Sequence, residues 1–422
     1  MDFIMSKLIF FVAILYWASY YAYARQISVT CSWGEPTTTR IDPFACFIRI
    51  PFKLTPNDTL TFNSEIDPSE LTIINFWLPS ASRYQWDITF IPKGIFERFS
   101  HLKSFTLPGH VESISHDDFM HAVNLERLSF GNQLKVIPGN VFDRVAKLEV
   151  LDLSWNKIAS IHENSFKGLS NLRTLKLHRN QLQKFKLRTF ENVPLLEELL
   201  LNNNHIETVE DGILKLPKLK HLDLSYNKLT ELSNLIFKDC RKLEYLDLRS
   251  NHITSIKRSV YNLNSLQLLN LDNNRISDIY LRAIVRLPSL EYISMENNGA
   301  SLNDNIFVSE SMSGSSKSAI KSLLLSGNNL KNRELLVRLW SLGLTHLEKL
   351  HIDNNSFEYI DFYPIYAFPK LKEINLGKNY WKCEWLEETL KKLEADGIEL
   401  NLFSSRFPSS TSFKHINFIP CI

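Results

Sequence analysis

Glycine is scarce in this chain of 422 residues: it has 13, about 3% against a usual ~7%. No G-x-x-x-x-G-K-[ST] or G-x-G-x-x-G occurs, so the loops that let a backbone cradle phosphate are missing. There is no C-x-x-C, which argues against zinc ribbons and redox motifs, and no H-E-x-x-H or G-x-S-x-G. The commonest signatures of zinc peptidases and serine hydrolases are therefore absent. Charge of one sign is also missing: 48 basic side chains face 46 acidic ones, for a net +2. No strong field draws such a chain to nucleic acid or to an acidic membrane. These absences point away from an enzyme and from any cofactor.

Only one long apolar run occurs, Leu8 to Ala18, and it is short for a ~20-residue membrane span. It follows Lys7 and precedes Ala22-Tyr23-Ala24, the order of a signal peptide cleaved after Ala24. A secreted, extracellular chain without a membrane span is the expectation. Five cysteines, Cys31, Cys46, Cys240, Cys383 and Cys421, suit that compartment. Local disulfides Cys31–Cys46 and Cys383–Cys421 are the simplest arrangement, although spacing does not fix connectivity. Asn57-Asp-Thr59 and Asn354-Asn-Ser356 are sequons, which makes Asn57 and Asn354 glycosylation candidates.

Leucine is abundant, 63 residues, and it is periodic. Leu148-Glu-Val-Leu151-Asp-Leu153-Ser-Trp-Asn156-Lys-Ile158 fits L-x-x-L-x-L-x-x-N-x-L. The pattern recurs from Leu172, Leu196, Leu219, Leu243, Leu266, Leu290, Ile320, Leu347 and Leu371, with looser copies from Leu102 and Leu125. A degenerate copy starts at Leu71. The spacing predicts an α/β leucine-rich-repeat solenoid, a horseshoe with a parallel β-sheet on its concave face. Positions one, four and six point inward, and each leucine row is buried only because the next repeat covers it. Asn at position nine, from Asn156 to Asn379, turns the chain off the strand and satisfies backbone groups there. A large apolar residue about eighteen positions after each start (Phe119, Phe142, Phe166, Phe190, Leu214, Phe237, Ile284, Phe307) fills the other half of the core. Cys240 falls where other copies hold Ala122, Val145 or Leu169, so it reads as a core residue, with a partner-linking thiol as the alternative. Ser309 to Ser318 reads as a polar insertion, and Asn332 precedes a helix carrying Leu335, Leu336, Leu339 and Trp340.

Residues 1–24 are thus the signal segment, 25–70 an N-terminal cap, 71–378 the repeats and 379–422 a C-terminal cap. Asn379-Tyr-Trp381-Lys-Cys383-Glu-Trp385 resembles the N-P-W-x-C-x-C cap of extracellular leucine-rich-repeat proteins, with Tyr380 in place of Pro and Trp385 in place of the second Cys. The two-cysteine front segment, the irregular repeats around Ile91-Pro-Lys-Gly-Ile-Phe96 and the reduced cap resemble the mosquito leucine-rich immune proteins. That resemblance implies innate immune recognition and association with other leucine-rich-repeat proteins. The coiled coil common in that family has no counterpart in this sequence.

An open sheet suits a macromolecule better than a small molecule, which needs a cleft. Its exposed positions hold Trp155, Lys176, His178, Arg179, Tyr226, Tyr245 and Arg249, with His221, Tyr292, Asp152, Asp223 and Asp247 among them. Trp, Tyr and Arg dominate binding hot spots, so a protein or glycan ligand is expected on this face. His178, His221 and His351 lie on separate repeats and read as surface histidines, with no metal site. The role expected is recognition of a protein or microbial-surface ligand. Developmental adhesion or ligand binding is the other role that the scaffold allows.

Overall fold

The structure, a computed structural model, describes residues 26–29, 45–48, 59–62, 71–76, 88–256, 258–277, 279, 281–299, 318–401, 414–417 and 419–422. The expected signal segment, the Cys31–Cys46 pairing, Asn57, Phe307 and residues 309–317 lie outside the described residues. The chain divides into two compact units, residues 1–172 and 173–422.

In the first unit, strands β1 (Ala45–Ile48), β2 (Ile73–Phe76), β3 (Ser104–Val111), β4 (Arg127–Asn132) and β5 (Val150–Asp152) lie parallel in chain order. The second unit continues the numbering with β6 (Thr174–Lys176), β7 (Glu198–Leu200), β8 (His221–Asp223), β9 (Tyr245–Asp247) and β10 (Leu268–Asn270). They are followed by β11 (Tyr292–Ser294), β12 (Ser322–Leu324), β13 (Lys349–His351), β14 (Glu373–Asn375) and β15 (Glu399–Leu400). These too pair parallel, each with the next.

Each repeat start from Leu102 to Leu371 opens its strand two residues later, as Leu219 does for His221. The strand beginning at Ile73 has the same offset from Leu71, so the degenerate copy is a true repeat. Strands are short because only position four must face inward between two outward neighbours. In register, Leu199, Leu222, Leu246 and Leu269 form one buried row. Strands β1 and β15 lie in the segments expected to cap the solenoid, so sheet pairing reaches further than the leucine pattern does.

The Asn row does the work expected of it. Asn227 Oδ1 accepts from Ile206 N at 3.0 Å, while Nδ2 donates to Leu201 O at 3.1 Å and Leu224 O at 3.0 Å. Asn251 repeats this one turn on, toward Leu229 N, Leu224 O and Leu248 O. From Leu177 to Ile352 each position-six carbonyl therefore serves two asparagines, its own and the next. Behind the sheet, Phe119, Phe142, Phe166, Phe190 and Phe237 are buried, and the Phe119 and Phe142 rings sit 5.2 Å apart. Cys240 is 0% exposed and its thiol donates to Leu214 O at 3.3 Å. Burial pushes that thiol up to about 12, which keeps it from being a reactive, partner-linking group.

Four helices matter here: α1 (Ile95–Arg98), α2 (Leu281–Ile284), α3 (Leu335–Ser341) and α4 (Cys383–Ala395). In α3, Leu335, Leu336 and Leu339 are buried as the spacing predicts, but Trp340 is 50% exposed. It stands about a quarter turn from the centre of that apolar stripe. Helix α4 buries Leu386, Leu390 and Leu393, and Cys383 is bonded to Cys421. Trp385, at the place of the missing cysteine, stacks on Trp381 with ring centres 4.6 Å apart and donates from Nε1 to Ile360 O. No described helix is long and apolar enough to cross a membrane.

Candidate functional site on the open face of the sheet

The residue before the Asn row turns the chain through left-handed space. In most repeats this eighth position holds a residue that tolerates it: Asn203 (φ 55°), Ser250, Asn273, Asn297, Gly327 and Asn354. Trp155 (φ 57°), Arg179 (φ 55°), Tyr226 (φ 53°) and Lys378 (φ 49°) occupy the same strained place. For a bulky L-residue this backbone costs on the order of 1 kcal/mol. In the first unit Trp155 is 55% exposed, and in the second Tyr226 is 49% exposed, so each presents about half of its surface to solvent.

Around Tyr226 the second unit gathers several of the expected residues. The Arg249 guanidinium lies 5.7 Å from the centre of the Tyr226 ring, close enough for a cation–π contact. Its Nε is 3.2 Å from Asp247 Oδ2, and Tyr245 Oη donates to the same oxygen at 3.3 Å. The His221 ring packs 4.3 Å from Tyr245 and its Nδ1 is 3.6 Å from Glu198. Burial pushes the Asp247 carboxyl up. Burial together with Asp247 and Asp223 raises the Tyr245 phenol to about 12. Arg249 thus lies between the Tyr226 ring and the buried Asp247 carboxyl. Lys176 and His178 are half-buried and Arg179 is exposed, on the first strand of this unit.

The aspartates of the expected patch have a different task. Asp152, Asp223 and Asp247 accept from the backbone N–H two residues on, Ser154, Ser225 and Arg249. Asn270 and Asn375 do the same for Asp272 and Gly377. Position five is therefore an Asx turn that holds the loop in front of the Asn row.

Sequence reasoning missed a pocket of about 350 Å³ farther along the second unit, between β11 and β15. Glu296, Ser326 and Asp353, all at position seven of successive repeats, line one side, with His351 and Lys378 also on its walls. The run of polar residues at that position was the available signal. Beside the pocket, Glu373 accepts from Asn401 Nδ2 at 2.6 Å and lies 2.7 Å from Lys349 Nζ and 2.8 Å from His351 Nε2. The Asn401 hydrogen bond, then that from Lys349, drive the Glu373 carboxyl down to about 2 from an ordinary 4.5. A carboxyl that titrates lower when folded contributes stability above its unfolded value and loses it as pH falls through the folded one. Glu373→Gln should cost about 1–3 kcal/mol at pH 7. Urea unfolding at steps from pH 5 downward should show the gap between variant and wild type closing. Among the described residues, no group of three or more His, Cys, Asp or Glu is placed to hold a metal ion.

Comparisons with known proteins agree with this geometry. Residues 89–216 match the BspA type leucine rich repeat region in six copies, and residues 194–253 and 241–299 match the leucine rich repeat. No curated protein matches the sequence. Among solved structures, the leucine-rich repeat domain of APL1 has 19% identity and a TM-score of 0.62, covering 94% of this chain and 99% of that one. The LRIM1/APL1C complex gives 20% identity and a TM-score of 0.62, over 94% of this chain and 71% of that one. APL1 and LRIM1 are mosquito leucine-rich-repeat immune proteins. Toll in complex with Spätzle, from Drosophila, gives 18% identity and a TM-score of 0.56 over 81% of this chain. The match spans 54% of the Toll chain. At these identities the likeness is one of fold. With its strand period, asparagine ladder and repeat matches in accord, this chain carries a leucine-rich-repeat domain.

Proposed function

We propose that the chain is a secreted recognition protein of innate immunity, binding a protein or microbial-surface ligand on the open face of its sheet. The observation that carries this reading is the recurrence of left-handed eighth positions that hold large side chains. Where Asn, Ser or Gly would suit the backbone, the first unit presents Trp155 to solvent and the second presents Arg179 and Tyr226. Strain kept at exposed, hot-spot residue types supports selection for binding. The likeness in fold to APL1 and LRIM1, the latter solved in complex with APL1C, supports a partner that is itself a protein. Residues 25–70 and 379–422 act as caps in this reading. Asn57 is the favoured glycan acceptor in this reading, and Asn354, which abuts the buried Asn row, is the hindered one. The likeness to Toll, described as a hub of both development and innate immunity, favours developmental ligand binding as the second reading.

Incubating the protein with extracellular fluid, with and without microbes, and identifying the captured partner by mass spectrometry tests the role. Capture only in the presence of microbes, or of an immune protein, supports the first reading; capture of a morphogen-like ligand supports the second. Trp155→Asn, Arg179→Asn and Tyr226→Asn then test the face with the purified partner. Each variant relieves left-handed strain, so stability should hold or rise by about 0.5–1 kcal/mol. At least one should weaken binding by about 2 kcal/mol, roughly thirtyfold. If all three bind like wild type, the ligand sits elsewhere.

A further inference from the structure

Across strands β8 to β11 the third positions of four successive repeats form one row on the open face. His221 pairs with Tyr245, Tyr245 with Leu268 and Leu268 with Tyr292 in the parallel register, and all four are half-buried. The row runs about 14 Å across the strands. Its phenols are tied down: Tyr245 Oη donates to Asp247 Oδ2 at 3.3 Å, and the Tyr292 hydroxyl is hydrogen-bonded with Ser294. Each partner stands two residues on along the same strand, so each ring lies along its strand instead of rising from it. Ring faces and the Leu268 side chain are left as an apolar strip. A row of carboxyls runs beside that strip at position five. Asp223 and Asp247 stand there, and Asp272 reaches it from position seven, since its Oδ1 accepts from Ser294 Oγ on the next strand. Arg249 pairs with Asp247. Asp223 accepts from Ser225 N and Asp272 from Glu296 N, neutral donors that leave the carboxylate charge in place. Positions three, five, seven and eight of these four repeats hold four carboxyls, Glu296 being the fourth, against one guanidinium and no lysine. The chain as a whole is +2, so this strip runs against the overall sign.

We infer that the Tyr245–Leu268–Tyr292 strip is the docking surface for an extended, lysine- or arginine-rich segment of a protein partner. The occupant has to match an apolar strip and a surplus of negative charge lying alongside it. A Lys or Arg side chain does both, since its methylene stem covers apolar surface while its head stays with polar groups. Position five lies about 7 Å from position three along a strand. A stem laid over a ring therefore brings its charged head to the carboxyl row, and the ring face adds a cation–π attraction. An acidic segment would be repelled, and a neutral glycan would stack on the rings without using the charge. The inference rests on the proposed binding role of the open face and deepens it by naming the partner's chemistry. It uses residues other than Trp155, Arg179 and Tyr226, and its test needs no captured partner, so the two readings fail separately.

Acetylated hexalysine amide is the probe, titrated calorimetrically into the full chain at low salt. Asp272→Asn should weaken binding about tenfold, the loss of one charge-assisted contact. Leu268→Ser and Tyr292→Ala change no charge and should each weaken it about fivefold, through lost contact with the lysine stems. Both positions face outward, and circular dichroism checks that each variant folds; either one decides the matter if another does not. Trp155→Asn should bind the peptide like wild type, as should Glu231→Gln, an exposed charge elsewhere. Wild-type affinity in Leu268→Ser and Tyr292→Ala overturns the inference even if Asp272→Asn binds weakly, because the carboxyls alone would then account for binding. An equal loss in Glu231→Gln, which means diffuse attraction to the surface, overturns it too. So does tighter binding of acetylated hexaglutamate amide, or binding of a neutral oligosaccharide with none of the lysine peptide.

Discussion

Trp381→Ala should lower the stability of the second unit by about 3–5 kcal/mol, the cost of emptying a buried Trp site. Among the described residues Trp381 is the largest fully buried side chain, and it is 0% exposed. Its indole is parallel to Phe357, with ring centres 5.8 Å apart and planes at 5°, and it also stacks with Trp385 at 4.6 Å. Nε1 donates to Leu376 O, and its own carbonyl accepts from Ile422 N at 2.8 Å. The ring thus ties the last regular repeat to α4, and the Trp381 backbone pairs with the strand that carries Cys421. Trp381→Phe keeps a ring in the stack but deletes the indole donor, so it should cost less, on the order of 2 kcal/mol. Urea unfolding followed by far-ultraviolet circular dichroism gives both values. Near-equal stability of Trp381→Ala and wild type would mean that the stack does not secure this end of the solenoid.

Asn227→Ala should cost about 3 kcal/mol, although it removes only a small polar group. Leu201 O and Leu224 O keep a second asparagine each, Asn204 and Asn251, so they lose strength rather than their only partner. Ile206 N has no such reserve: Asn227 Oδ1 is the acceptor it meets in the turn. A buried N–H left without a partner costs about 1–3 kcal/mol, and each net hydrogen bond lost adds about 0.5–1.5. Asn227→Asp should be worse than Asn227→Ala, because a carboxylate would face the carbonyls of Leu201, Leu224 and Ser225, which Nδ2 now serves. Amide exchange offers a local check: the Ile206 N–H should lose protection in Asn227→Ala while Leu246, a strand away, keeps its own.

Much of this protein follows from sequence alone because the repeat is a local rule applied many times. Leu at positions one, four and six and Asn at nine fix strand, turn and register within some eleven residues, and stacking copies that each obey the rule leaves the sheet no other pairing. For the same reason Cys240 is legible as core, since neighbouring copies show what stands in its place, and the Cys383–Cys421 bond follows from a cap pattern read in sequence. What the rule leaves free is every outward position, and there only tertiary structure decides. Trp155 and Tyr226 are ordinary aromatic letters until the backbone shows both in left-handed space. Asp223 and Asp247 look like ligand-binding acids until each is found holding the N–H two residues on. Glu296, Ser326 and Asp353 are separated by 30 and 27 residues, yet parallel stacking sets them along one wall of a pocket. Inward positions answer to packing within and between adjacent repeats, which the pattern records. Outward positions answer to the particular side chains beside them on adjacent strands and to a partner, and no period in the sequence encodes either.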